Sequence, residues 1–97
     1  MFGQITNRKE EKLYILTATS TNDIKPYIEV DTWENCIGVL KCMIKEKHTD
    51  RVLVQLIHKE VNEEMHKAEA SVRCNRRGYG SDFFRYITIE PLYTDAW

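Results

Sequence analysis

The stretch from Arg51 to Arg77, RVLVQLIHKEVNEEMHKAEASVRCNRR, decides the fold because it supports two readings. As one long helix, Leu53, Ile57, Val61, Met65, Ala68 and Val72 recur at steps of three and four and form a single apolar stripe. As two elements, RVLVQLIH is a strand. Val52, Val54 and Leu56 then face one way and Leu53 and Ile57 the other, as in a central strand covered on both sides. The density of Val and Ile favours the strand. In that reading VNEEM starts a fresh helix, with Asn62 as N-cap and Glu63 and Glu64 in the first turn beside the positive dipole end. The helix runs to about Arg77, and Gly78 is its left-handed stop.

Upstream, Lys12 to Thr19 (KLYILTAT) is rich in aromatic and β-branched residues and reads as a strand. STND is a turn cluster, and Pro26 to Val30 is a short extended segment with proline at its start. A helix follows. Asp31 stands as cap with Glu34 three residues on, the spacing of a capping box. Trp33, Ile37, Leu40 and Ile44 make its apolar stripe, flanked by Cys36 and Met43. Gly38 costs this helix about 1 kcal/mol relative to alanine and leaves room for another backbone to approach. Downstream, Phe83 to Glu90 alternates as a strand that Pro91 ends.

The expected architecture is therefore α+β: two helices on a mixed or antiparallel sheet of about four strands, in the order β-β-α-β-α-β. Residues 1–11 form a polar lead-in and 12–97 a single domain.

Composition narrows the function. Of 97 residues, 42% are apolar and 30% charged, as in ordinary globular proteins. Fourteen basic against fifteen acidic residues leave a net charge of -1, so no global field favours nucleic acid or an anionic membrane. No apolar run approaches the length of a membrane span, and the first residues lack the apolar core of a signal peptide. Cys36, Cys42 and Cys74 are an odd, unpaired set suited to free thiols, and a cytoplasmic location is expected. No Cys-x-x-Cys or His-x-x-x-His spacing marks a metal site, His48, His58 and His66 being scattered, and no cofactor is expected. Nor does any serine sit in a Gly-x-Ser-x-Gly elbow. Glu63 and Glu64, adjacent in sequence, point to different sides of a helix and form no catalytic pair. An enzyme is not expected.

Four of the six arginines, Arg73, Arg76, Arg77 and Arg85, lie within thirteen residues that hold one acid, Asp82. Lys59 to Glu69, by contrast, carries four glutamates and two lysines. In this basic segment RGYGSDFF, Arg77 to Phe84, resembles the basic-aromatic octapeptide of RNA-recognition-motif domains at Arg77, Gly78, Tyr79, Gly80 and Phe84. The resemblance implies bases stacked on Tyr79 and Phe84. Ser81 and Asp82 depart from the pattern, and thirteen residues after Phe84 cannot supply the helix and strand that follow it in that family, so membership is not expected. The plainer reading puts Arg73, Arg76 and Arg77 in the last turn of the second helix, against its unsatisfied carbonyls.

The functional expectation is a small non-enzymatic binding protein, a regulator, inhibitor or subunit such as a bacterial or phage accessory protein. It acts through protein–protein contacts or as a homodimer through its last strand or tail. Arg73, Arg76, Arg77, Tyr79, Arg85, Tyr93 and Trp97 are the candidate contact residues, since Tyr, Trp and Arg are enriched at interface hot spots. Six of the ten aromatics lie between Tyr79 and Trp97. The alternative is single-stranded nucleic acid bound along residues 73–86, with arginines on phosphates and aromatics under bases.

Overall fold

A computed structural model of the chain describes residues 12–22, 25–76 and 81–92. Its elements are β1 (Tyr14–Ser20), β2 (Tyr27–Asp31), α1 (Trp33–Met43), β3 (Lys47–His48), β4 (Val52–Asn62), β5 (Lys67–Arg76) and β6 (Phe83–Pro91). The strands form one six-stranded sheet in the order β2-β1-β6-β5-β4-β3, with every pairing antiparallel. α1 packs on one face of it, against β1, β2 and β6.

The expected second helix is a strand. Residues 67–76 form β5, hydrogen-bonded between β4 and β6, and four sheet strands become six. The period of two was present in the sequence: Ala68, Ala70, Val72 and Cys74 are buried, while Lys67, Glu69 and Arg73 between them are exposed. Asn62 performs the local chemistry assigned to a helix cap, accepting a hydrogen bond from the Met65 amide at 3.0 Å, but inside the β4–β5 turn. His66 closes that turn at φ 53°, a left-handed conformation that ends one strand and starts the next instead of propagating a helix. Arg73 and Arg76 are strand residues, so the helix-end explanation of the arginine cluster falls with the helix. Gly78, Arg77 and residues 1–11 lie outside the described residues.

The strand reading of residues 51–58 holds, and β4 extends it to Asn62. It is not covered on both sides: Val54 is buried, whereas Leu56 and Ile57 are exposed. The register shifts between Leu56 and His58, leaving Ile57 as a bulge and returning Val61 to the helix side opposite Ala68.

α1 has Thr32, not Asp31, as N-cap; the Thr32 hydroxyl accepts from the Asn35 amide at 3.3 Å. Asp31 supports the cap from one residue back, its Oδ1 accepting from the Thr32 amide at 2.7 Å and the Asn35 side chain at 2.9 Å. Trp33, Cys36, Leu40 and Ile44 face the sheet, with Ile37 and Met43 half-buried beside them. They meet Tyr14, Leu16 and Ala18 of β1, Ile87 and Ile89 of β6, and Val72 of β5 in one core. Gly38 is exposed, and a methyl group added there meets nothing within 4 Å, so no backbone among the described residues approaches it.

Candidate interaction surface on the open face of the sheet

Among the described residues a single eleven-residue helix covers one face of the six strands, and strand alternation leaves the second face uncovered by them. The registers fix its composition. Val30, Ile15 and Glu90 lie in one row across β2, β1 and β6. In the next row Ile28, Thr17, Thr88, Glu69 and Glu60 run from β2 to β4. The third row holds Thr19, Tyr86, Ser71 and His58. Beyond the first row, the Leu92 amide donates to the Leu13 carbonyl at 3.1 Å and brings those two leucines side by side.

The face is thus divided. At its β2-β1-β6 end stand Leu13, Ile28, Val30, Leu92 and Tyr86, each between 39% and 54% exposed, around half-buried Ile15. An apolar group of this kind, drawn from adjacent strands, marks an interaction surface rather than scattered surface residues. At the β5–β4 end the face is charged. Glu60, Glu69, Glu90 and Lys67 border a shallow depression of about 290 Å³ floored by Thr88. His58 Nε2 lies 3.1 Å from Glu69 Oε2 and 3.9 Å from Glu60 Oε1. The bulge at Ile57 puts His58 and Glu60 on this face, where Glu60 is directly opposite Glu69. Two facing glutamates repel, and the histidine relieves that repulsion by bonding one of them. The three ligand-type atoms lie within 4.8 Å of one another, all on exposed side chains.

Arg73 and Arg85 of the cluster part company. Arg73 is on the open face, its Nε donating to Asp82 Oδ2 at 2.6 Å. The Asn75 amide donates to the other oxygen of Asp82, and these two bonds hold the carboxyl below its ordinary range. Arg85 is on the helix side, opposite buried Val72, and lines an open groove with Glu29, Asp31 and Glu34. Arg76 ends β5, and Arg77, Tyr79, Tyr93 and Trp97 lie outside the described residues. Phe84 is half-buried opposite Arg73 on the open face, its backbone tied to Thr21 through a 3.0 Å bond from its amide to the Thr21 hydroxyl.

The patch at Leu13, Ile15, Ile28, Val30 and Leu92 has no counterpart among the sequence candidates. Its one signal was alternation without a second helix to cover it. Among the described residues, no helix is long and apolar enough to cross a membrane. Comparison with protein-family models, with curated proteins and with solved structures yields no match to this chain.

Proposed function

We propose that the chain is a small non-enzymatic binding domain that engages a protein partner through the open face of its sheet. The observation that carries this reading is the apolar group of Leu13, Ile15, Ile28, Val30 and Leu92, gathered from β1, β2 and the residues flanking β1 and β6 and left uncovered by the described residues. Glu60, Glu69 and Glu90 flank it, so the complementary partner surface is apolar with a basic rim. Separation of Arg73 and Arg85 onto opposite faces, with Arg73 neutralised by Asp82, supports a protein over a nucleic-acid partner. Three free cysteines suit a cytoplasmic setting.

The test compares capture from native lysate by the wild type and by Leu13→Glu/Leu92→Glu, with and without nuclease, after circular dichroism shows that the variant is folded. The expected result is a nuclease-resistant partner held by the wild type and lost by the variant. Equal capture by both proteins overturns the use of this face, and loss on nuclease treatment replaces the protein partner with nucleic acid.

A further inference from the structure

The two long margins of the sheet are protected unequally. β3 covers only Leu53 and Val54 of β4, but the remainder of that margin carries the Ile57 bulge and exposed His58, Lys59 and Glu60. Glu46 also reaches over it, its Oε2 accepting from the Leu56 amide at 3.0 Å. Bulges and charges of this kind block pairing with a further strand. β2, hydrogen-bonded only to β1, carries no bulge and no side chain bonded over its outer amides among the described residues. Pro26 just before it lacks a donor and Glu29 and Asp31 are half-buried, but Tyr27, Ile28 and Val30 along it are exposed. β6 lies between β1 and β5 and has no free edge, so it offers no edge for pairing with a second copy.

We infer that β2 pairs antiparallel with β2 of a second copy of this chain, about a two-fold axis at Ile28. The inference rests on the open-face reading above and deepens it, because pairing joins the apolar ends of two open faces.

The register follows from geometry and charge. A two-fold axis normal to the sheet preserves which face each side chain occupies, so odd positions can oppose only odd ones and even only even. An axis at Glu29 sets Glu29 against its own copy, and an axis at Val30 sets Glu29 against Asp31; like charges directly opposite are unfavourable. An axis at Tyr27 carries the partners of Val30 and Asp31 onto residues 24 and 23, outside the described residues, whereas an axis at Ile28 ends at Lys25. With the axis at Ile28, Lys25 opposes Asp31 of the second copy, and Tyr27 opposes its Glu29. The Tyr27 hydroxyl already donates to Glu29 within one chain, so the two groups are chemically matched. On the open face Ile28 meets Ile28 and Pro26 meets Val30, all apolar. Each of these contacts occurs twice except Ile28 with Ile28, which lies on the axis and occurs once. The interface is one strand wide, which makes the dimer weak and concentration-dependent.

Disulfide trapping tests the register in the full chain carrying Cys42→Ser, which removes the exposed native thiol. Ile28→Cys sits on the axis, where facing Cα atoms are about 5 Å apart and a disulfide can close. Val30→Cys lies about 13 Å from its symmetry mate along the strands and cannot close one. The expected result is a covalent dimer from I28C and not from V30C, with sedimentation of the wild type showing monomer and dimer in exchange. Monomer throughout, or equal cross-linking at both positions, overturns the inference. Charge exchange gives a second reading. Lys25→Glu and Asp31→Lys each dissociate the dimer, while the double variant carrying both substitutions restores it. Asp31→Lys also weakens the α1 cap, but the double variant shares that loss, so recovery isolates the contact across the axis. A monomer that still loses its partner on Leu13→Glu/Leu92→Glu leaves the open-face reading intact and removes only the self-pairing.

Discussion

The Tyr14 hydroxyl lies 2.9 Å from Nδ1 of His66, joining the first strand to the β4–β5 turn across 52 positions of sequence. Trp33 completes the cluster, its ring centroid 5.6 Å from that of Tyr14 and 5.0 Å from that of His66. Its indole N–H donates to Glu63 Oε1 at 3.1 Å. The start of α1, the lead strand and the hairpin turn are therefore secured at one point. Tyr14→Phe keeps the ring packing and loses one hydrogen bond, a cost of about 0.5–1.5 kcal/mol. Trp33→Ala removes the shared ring and leaves a cavity, a cost of about 3–5 kcal/mol. Urea unfolding followed by circular dichroism separates the two; equal losses contradict the assignment of Trp33 as the centre of the cluster.

Gly38 lies mid-helix, exposed, with open space where a Cβ would stand. Gly38→Ala should therefore stabilise the protein by about 0.5–1 kcal/mol through backbone entropy. A rise in the urea midpoint at constant slope is the expected outcome. A fall contradicts the open space at Gly38.

Asp31 and Asp82 share a pH signature. The Asn35 side chain and Thr32 amide hold Asp31 below its ordinary value of 3.8, and the Asn75 side chain and Arg73 do the same for Asp82. A carboxyl depressed in the folded state binds fewer protons there than in the unfolded chain. Its contribution is present above the ordinary value and fades as pH falls below it through the folded value. Thermal melts should show the stability of the wild type declining with acid in that window. The decline should be shallower in Asp31→Asn and Asp82→Asn; identical profiles in all three contradict the assignment.

The cysteines divide by exposure. Cys42 is exposed, Cys36 and Cys74 are buried, and burial pushes both buried thiols above their ordinary range. A thiol reagent near neutral pH should modify Cys42 in the folded protein and the other two only on unfolding. Rapid native reaction at Cys36 would mean that α1 detaches from the sheet readily.

Glu46 shields the Leu56 amide on the β4 margin. Glu46→Ala exposes that donor and should increase concentration-dependent scattering on warming, with little change in secondary structure. Unchanged scattering shows that the bulge and the charges of β4 protect the margin without Glu46.

Legibility followed the range of the interactions. α1 was readable because its apolar stripe and capping chemistry lie within fifteen residues, although the cap fell on Thr32 instead of Asp31. β6 was readable from alternation ended by Pro91. β5 was not, because Ala68 and Val72 fit a helical stripe as well as they fit one strand face. Asn62 deepened the ambiguity: its side chain bonds the amide three residues on in a helix cap and in a hairpin turn alike. The open-face patch was invisible for a related reason, since an expected second helix would have covered it.

The sequence by itself determined the local chemistry: α1, the strand at Arg51–His58, the strand from Phe83 to Pro91, and an arginine-rich stretch from Arg73 to Arg85. Only the tertiary structure decided that residues 67–76 are a strand, because hydrogen bonds to both β4 and β6 outweigh a local preference that is nearly balanced. It also decided that Arg73 and Arg85 face opposite ways, that β6 is interior and that β2 is the open edge. Strand order and facing are set by pairings between distant segments, and residues near in sequence carry no record of which neighbours they will find.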